Sequence, residues 1–227
     1  MNRFLESFVM SKFAGNSSGS GENKLAALIS GETVELSKAD LGTGTMKNYA
    51  FYEKPNIVSV ELPENTLAIP QNAFGYCTGL KSIPLDNIVV VYEHGFYNCT
   101  SLEDIGSTSE LKDIRQQAFQ KCTSLKEIIL PSVEDYIQSN AFSYCTALSN
   151  VVIGASATKI CNFAFAYCTA IETFKLLGET PPVLESSGYV FKDSTIQKII
   201  VPKGALETYK TATNWSAYAD VMEEATE

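Results

Sequence analysis

The sequence predicts an α/β repeat solenoid, in which short parallel strands and short helical turns stack along one axis. Three observations predict this fold: a cysteine-containing phrase that recurs every 22 or 23 residues, columns of apolar residues at fixed distances from it, and strand-like segments that end in proline. Periods in the low twenties are typical of solenoids, because one unit cannot bury its apolar face without stacking on its neighbours.

The recurring phrase places an aromatic residue three positions before a Cys-Thr pair. It reads Ala-Phe-Gly-Tyr-Cys-Thr at residues 73–78 and Ala-Phe-Ser-Tyr-Cys-Thr at residues 141–146. The phrase cysteines are Cys77, Cys99, Cys122, Cys145 and Cys168, separated by 22, 23, 23 and 23 residues. The same spacing extends to Phe51 and, after a longer interval, to Phe191, so the sequence contains seven recognisable units.

Two columns of residues stay apolar while their neighbours vary. The column five residues before each phenylalanine contains Met46, Ile69, Val91, Ile114, Ile137 and Ile160. The column nine residues after it contains Val60, Ile83, Ile105, Ile128, Val151 and Phe174. We expect these positions to point into the core of the stack.

Each unit contains two extended segments. The first ends in a proline, as at Pro63, Pro131 and Pro202, because proline cannot donate to a strand ladder. The second, such as residues 89–91, leads into the turn around the phenylalanine. Since units in register form parallel ladders about 4.7–4.9 Å apart, seven units are expected to span roughly 30 Å.

The pattern Ile-x-x-x-Ala-Phe-x-x-Cys-x-x-Leu-x-x-Ile, seen from Ile114 to Ile128, resembles the BspA-like class of leucine-rich repeats, first known from bacterial surface antigens. The resemblance covers about residues 46–202. It implies a leucine-rich-repeat solenoid, assigned to residues 25–203 with its N-terminal cap, and a non-enzymatic binding or adhesion module.

Residues 204–227 are predicted to form a C-terminal helical cap with an acidic tail, and their sequence also resembles the cap of such proteins. The cap is needed because the last unit would otherwise expose its core and an open strand edge. We expect Asn214 to be the N-cap of the last helix. The apolar side of the cap contains Leu206, Tyr209, Trp215 and Tyr218. The tail residues expected to be solvated are Glu223, Glu224 and Glu227.

The five phrase cysteines predict a structural ladder of reduced thiols rather than disulfides. Five equivalent positions cannot pair without a remainder, and a small thiol fits a narrow corner of the core. Cys161 lies outside the ladder, in a column that otherwise holds Pro70, Tyr92, Arg115 and Gln138. This variability indicates a surface position, so Cys161 is either a reactive thiol or a partly covered, inert one.

The composition argues against several classes of function. The chain has 17 Lys+Arg against 26 Asp+Glu, a net charge of −9, which removes the attraction to phosphate that drives nucleic-acid binding. No apolar run reaches the roughly 18 residues that a membrane span requires. With His94 as the sole histidine, neither a zinc site nor a hydrolase triad can be assembled, so we expect no catalytic residue, metal or cofactor.

Two exposed surfaces are candidates for binding a protein or a glycan. The residue before the phrase cysteine is aromatic in three units, as Tyr76, Tyr144 and Tyr167, and tyrosine is favoured in recognition sites. Alternatively, these rings pack along the edge over adjacent turns. On the strand side, Ile129 and Val152 are predicted to form a small exposed apolar stripe.

Residues 1–14 predict an amphipathic helix that serves for attachment or oligomerisation. Glu6 and Lys12 interrupt the apolar stretch that a secretory signal would need, so we expect synthesis in the cytoplasm without a signal peptide. A helix this short is marginal alone and should dock on an assembly or on copies of itself, or fold back onto the first repeats. Its apolar face contains Phe4, Leu5, Phe8, Val9 and Phe13.

Residues 15–24 predict a flexible Gly/Ser-rich linker. The succession of short helix, linker and repeats resembles tail-associated or receptor-binding proteins of phages. It implies a virion-borne protein that recognises a protein or glycan on a bacterial or host surface. A bacterial cell-surface adhesin and a purely structural spacer are the alternatives.

If residues 1–14 mediate self-association, light scattering should give a multiple of the chain mass for the full-length protein and the monomer mass for a variant that starts at Glu22. The physical reason is that removal of the helix removes its exposed apolar face. A monomeric mass for both proteins would contradict self-association.

Overall fold

The computed structural model describes residues 31–41 and 46–226. The predicted helix over residues 1–14 and the linker over residues 15–24 lie outside the described residues. The described part is a solenoid of parallel strands, which confirms the predicted fold class.

Each strand occupies one of two positions in its unit, and β3, β4 and β5 occupy the same one in consecutive units. They are β1 (Val34–Leu36), β2 (Ile57–Val60), β3 (Ala68–Ile69), β4 (Val90–Val91), β5 (Asp113–Ile114), β6 (Glu127–Leu130), β7 (Asp135–Ile137), β8 (Asn150–Ile153), β9 (Ala157–Ile160), β10 (Ile171–Leu176), β11 (Val183–Leu184), β12 (Ile196–Val201) and β13 (Met222–Glu224). The helices are α1 (Lys38–Leu41), α2 (Ser187–Val190), α3 (Leu206–Thr211) and a 3-10 helix at Ser216–Val221.

Two parallel sheets run along the solenoid. The long-strand sheet has the order β13-β12-β10-β8-β6, and the short-strand sheet has the order β11-β9-β7-β5-β4-β3. β1 and β2 form a separate pair. Strands β2, β6 and β12 end before their prolines, as the sequence predicts.

The core lies between the two sheets and the turn. The phenylalanines of the recurring phrase stack on one another through consecutive units. Their ring centroids are 5.1–5.5 Å apart from Phe51 to Phe165. Both predicted apolar columns are buried, apart from Met46, which is partly buried. The period of the sequence is therefore the period of the core.

The turns around the phenylalanines differ from the predicted helical turns. Each contains successive bonds from N–H to the carbonyl three residues earlier, such as Cys122 N to Phe119 O at 3.2 Å. Two residues per turn have a left-handed backbone, for example Gln117 (φ 60°) and Lys121 (φ 64°). A left-handed residue cannot continue an α-helix, so its N–H instead donates to the next unit, as Lys121 N does to Ser143 O at 2.8 Å.

The ladder thiols are all free and buried. Each donates to the carbonyl of the phenylalanine in the preceding unit, as Cys122 Sγ does to Phe96 O at 3.2 Å. The remaining thiol bonds are Cys77 to Phe51, Cys99 to Phe74, Cys145 to Phe119 and Cys168 to Phe142. At the end of the array, Ser194 Oγ takes the thiol's place and donates to Phe165 O at 2.6 Å. The thiol thus links each turn to the one before it.

The C-terminal cap is anchored by side chains that reach back over the last unit. Tyr209 Oη donates to Gly178 O at 2.7 Å, and Trp215 Nε1 donates to Pro182 O at 2.7 Å. The prediction that Asn214 caps the last helix is wrong. Its backbone is left-handed (φ 68°), and its amide donates to Leu184 O at 2.9 Å instead.

The predicted acidic tail contains a strand. Residues 222–224 form β13, which pairs with β12 and becomes the last strand of the long-strand sheet. Glu223 forms an ion pair with Lys198 at 3.0 Å, and Glu224 Oε1 accepts from Gly204 N at 3.0 Å. Acidic side chains on a short terminal strand oppose pairing with another chain.

Above about pH 9 the protein is expected to lose stability, because the native state retains thiol protons that the unfolded chain releases. Burial raises the pKa of Cys77 and Cys168 from 9.0 to about 12. This contribution is complete below pH 9 and is lost as the pH rises toward 12. Each buried thiol steepens the fall in unfolding free energy by about 1.4 kcal/mol per pH unit.

Guanidinium unfolding under reducing conditions between about pH 8 and pH 10 measures this slope. Cys122→Ala should reduce the fall in unfolding free energy between about pH 8 and pH 10 by about 1.4 kcal/mol in total, because the unfolded thiol ionises across this range. It should also cost about 1–2 kcal/mol at pH 8 through the lost hydrogen bond and the small cavity. Cys161→Ala is the control, because the thiol of Cys161 is only partly buried. Equal slopes for wild type and Cys122→Ala would contradict the buried-thiol ladder.

Candidate interaction surfaces

A row of tyrosines follows one edge of the turns. We call it the tyrosine edge, and it consists of Tyr49, Tyr52, Tyr76, Tyr97, Tyr144 and Tyr167. Tyr49 joins it through Tyr52, with ring centroids 5.4 Å apart. The residue two positions after each phenylalanine is left-handed, as at Tyr76 (φ 60°), Tyr144 (φ 62°) and Tyr167 (φ 61°). Because the phenylalanine is fixed in the core, this conformation is repeated in every turn and places the side chains at one height.

The predicted residues fall into two groups on this edge. Tyr144 and Tyr167 stack face to face with ring centroids 4.3 Å apart and an interplanar angle of 11°. Tyr76 lies farther along and contacts Tyr97 at 5.2 Å and Tyr52 at 5.5 Å. The rings pack over adjacent turns and yet remain accessible, with Tyr76 37% exposed and Tyr144 38% exposed.

Lys121 joins the two groups. Its Nζ donates to Tyr97 Oη at 3.2 Å and lies 5.4 Å from the centre of that ring. Burial raises the pKa of Tyr76 and of Tyr144, and the charge of Lys121 opposes part of this rise. A cation beside tyrosine rings gains from their negative faces, so this position adds a positive charge to an otherwise acidic protein.

The phenols of Tyr76 and Tyr144 remain hydrogen-bond donors at neutral pH, because the pKa of each is raised. Burial raises the pKa of Tyr76, and Tyr97 raises it further. Burial followed by Tyr167 raises the pKa of Tyr144 in the same way. In the stacked pair, each ring covers one face of the other, so a ligand meets the ring edges, the hydroxyl groups and the outer ring faces.

Tyr52 and Tyr97 belong to the edge but were not among the predicted residues. Both lie one position after a phenylalanine, whereas Tyr76 lies two positions after. The ring of Tyr52 crosses to the next unit over Gly75, where an added Cβ would come 3.0 Å from the ring. The glycine opposite a large aromatic residue is the signal that could have found this contact.

The predicted stripe on the long-strand sheet is short. Ile129 is 41% exposed, and Val152 is half-buried beside it in register. The next residue in this outward row is Lys175, after which Ile200 continues it. Since Lys175 interrupts the row, Ile129 and Val152 do not belong to a continuous apolar patch.

The short-strand sheet carries exposed aromatic residues that the sequence analysis did not single out. Tyr136 is 50% exposed and Tyr92 is 41% exposed. Lys159 Nζ lies 5.8 Å from the centre of the Tyr136 ring and forms an ion pair with Glu185 at 2.7 Å. These tyrosines stand apart from one another, unlike those of the tyrosine edge.

The surroundings of Cys161 and His94 do not favour a reactive site. Cys161 is half-buried, and burial raises the pKa of its thiol despite the opposing effect of Lys159. A thiol with a raised pKa is a poor nucleophile at neutral pH, which favours the inert interpretation. His94 is half-buried in a left-handed turn (φ 58°), edge-on to Tyr97 at 5.4 Å.

Over residues 31–41 and 46–226, no group of three or more His, Cys, Asp or Glu residues is arranged to hold a metal ion. None of the helices described is long and apolar enough to cross a membrane.

Comparison with solved structures identifies repeat proteins of similar architecture. A T. pallidum leucine-rich-repeat protein shares 26% identity, with 79% of this chain and 77% of that chain covered and a TM-score of 0.57. A leucine-rich cell surface protein from Faecalibacterium prausnitzii shares 18% identity over 70% of this chain and 59% of that chain, with a TM-score of 0.50, which supports the fold alone. No curated protein matches the sequence.

The family comparison agrees with the repeat pattern and with the solenoid. The family described as BspA type leucine-rich repeat region, with six copies, matches residues 44–172 and 89–216, which together cover most of the chain. The protein belongs to the BspA-type leucine-rich-repeat family.

Proposed function

We propose that this protein is a non-enzymatic binding module that recognises a protein or a glycan on a bacterial or host surface through the tyrosine edge. Solenoids present long surfaces built from neighbouring repeats, and their typical role is binding. The observation that carries the proposal is the alignment of six tyrosines and Lys121 along one edge.

The tyrosine edge has the physical properties of a recognition surface. Tyrosine offers a large contact area and loses little conformational entropy on binding, because it has two side-chain torsions. Stacking between Tyr144 and Tyr167 restricts these rings before a ligand arrives. Pre-ordered side chains reduce the entropy that binding costs, so the edge is suited to selective contact.

The stacked geometry also restricts how a ligand is bound. Sugars that stack on aromatic residues need a free ring face, and the faces that Tyr144 and Tyr167 turn toward each other are not free. The ligand is therefore expected to accept hydrogen bonds from the phenols and to pack against the ring edges or an outer ring face. Lys121 adds a contact for an anionic or carbonyl group.

Location at a cell surface is the setting that we propose for this activity. The support is membership of the BspA-type leucine-rich-repeat family. The second candidate is a phage tail component, which the pattern of residues 1–24 favours. Neighbouring genes for tail or baseplate proteins would support the second candidate, and neighbouring sorting or secretion genes would support the first.

Replacement of Tyr144 and Tyr167 together by alanine should weaken binding at least tenfold and lower the melting temperature by only a few degrees, because the rings are exposed at the edge of the core. The double phenylalanine variant, Tyr144→Phe with Tyr167→Phe, keeps the stack and should lose affinity through its missing hydroxyls. Binding is measured on a printed array of bacterial and host glycans and on intact bacterial cells.

The matched control is Tyr92→Ala with Tyr136→Ala, which removes two exposed tyrosines, one directly after β4 and one on β7. Its binding should equal that of the wild type. A large loss of stability in Tyr144→Ala with Tyr167→Ala, together with unchanged affinity, would show that the stacked pair serves packing and not recognition.

A further inference from the structure

The long-strand sheet is interrupted in the middle of the solenoid. Strand β6 pairs with β8 along one side, from Glu127 opposite Asn150 to Leu130 opposite Ile153. On its other side lies the segment from Asp104 to Ser109, which forms no strand. The ladder of the preceding units ends at the bridge between Ser82 and Asp104.

The register shows which backbone groups of β6 face this interruption. Asn150 N donates to Lys126 O at 3.2 Å and Gly154 N donates to Leu130 O at 2.9 Å, so the even-numbered residues of β6 face β8. In a parallel ladder the alternate residues face the opposite way, which directs Glu127 and Ile129 toward residues 104–109.

These outward backbone groups are largely unpaired. Among the described residues, none accepts a hydrogen bond from Glu127 N–H or Ile129 N–H, and none donates to Glu127 O. Ile129 O is paired, because it accepts a hydrogen bond from the buried Thr108 Oγ1. The edge of β6 therefore presents a donor, an acceptor and a second donor at strand spacing.

A cavity of about 260 Å³ adjoins this edge, lined by Ile105, Gly106, Thr108, Glu127, Ile129 and Pro131 among others. It is far larger than the roughly 30 Å³ of a single water. The facing segment is tied to the preceding unit by Leu85 N to Ile105 O at 2.8 Å and by Ser107 N to Asp86 Oδ1 at 3.0 Å, among other bonds. Within the segment, Gly106 N donates to Asp104 Oδ1 at 2.9 Å. Thr108 covers one carbonyl of the edge, and the rest of the cavity stays open.

The surroundings of the cavity are acidic. Exposed carboxylates lie on or next to the two segments beside it, at Asp104, Glu110 and Glu127, and a further one, Asp86, reaches the facing segment from the preceding unit. Glu103 is paired with Lys126 at 3.3 Å and contributes less. Apolar contacts come from Ile129, which is exposed, and from Ile105 at the base.

We propose that this cleft binds an extended polypeptide segment that carries a lysine or arginine and adds to the edge of β6 as a further strand. The main chain of the segment would pair with Glu127 and Ile129 and displace Thr108 from Ile129 O. Addition of a strand to an open sheet edge is a general mode of peptide recognition. This cleft is independent of the tyrosine edge, so the two proposals can fail separately.

The free edge is tested first by proline substitution. Ile129→Pro removes an N–H that is unpaired, and should shift the melting temperature by no more than a few degrees. Val152→Pro, at the adjacent position in register, removes an N–H that faces β6 and should lower the melting temperature by about 10 °C.

Hydrogen exchange tests the same edge in the wild-type protein. Exchange of the Glu127 and Ile129 amides should be fast, and exchange of the Val152 amide should be slow. Protection of Glu127 and Ile129 would overturn the proposal, whether or not Ile129→Pro folds.

The ligand class is tested with a blocked peptide of residues 170–177, Ala-Ile-Glu-Thr-Phe-Lys-Leu-Leu, which already forms a parallel strand in this protein. Titration of the labelled peptide into the full-length protein should give saturable binding and slow the exchange of Glu127 and Ile129. Thr108→Val, which frees Ile129 O, should tighten binding. Ile129→Pro should weaken it at least about tenfold, since a main-chain hydrogen bond is lost.

The matched control peptide has its lysine replaced by glutamate and should bind more weakly, because the cleft is acidic. Absence of binding at millimolar peptide to both wild type and Thr108→Val would overturn the proposal. Equal binding to wild type and Ile129→Pro, without protection of Glu127 and Ile129, would place the peptide elsewhere and also overturn it.

Discussion

The structure depends on one repeated constraint, the pairing of each turn with the turns before and after it. A buried phenylalanine fixes the turn, its N–H donates to the next unit, and its carbonyl accepts the thiol of that unit, as Phe96 N does to Ala118 O at 2.8 Å and Phe96 O from Cys122 Sγ at 3.2 Å. Left-handed residues cost about 1 kcal/mol or more each, and the bonds that they make to the next unit offset that cost. One unit alone could not satisfy these groups, which is why the array is cooperative.

This constraint separates the roles of inward and outward residues. The inward positions are set by stacking, so phenylalanine and cysteine recur with little variation. The outward positions contribute little to the stack, and their identity can change from unit to unit without loss of the fold. The tyrosine edge and the acidic cleft beside β6 both use this freedom, since each is formed where outward residues of several units meet.

The period of the sequence was sufficient to predict the core, because the positions represented by Ile69, Phe119 and Cys122 have the same buried environment in successive units. The conformation of the turns was not predictable, since Lys121 and Tyr144 are not residue types that favour left-handed backbone and adopt it only through bonds to neighbouring units. The full tyrosine edge was missed because Tyr52 and Tyr76 occupy different columns and meet only across Gly75. The interruption of the long-strand sheet at Thr108 was also not predictable, because it depends on backbone pairing between units and not on the sequence of one repeat.

Native-state hydrogen exchange tests the central claim most directly. If the turns hold the solenoid together, the amides of Phe96, Phe119 and Phe142, which donate to the next unit at 2.8 Å, should exchange only through global unfolding. Their protection should equal or exceed that of core strand amides such as Val151. Exchange of the phenylalanine amides orders of magnitude faster than that of Val151 would show that the turns open while the sheets remain intact, and would contradict the account.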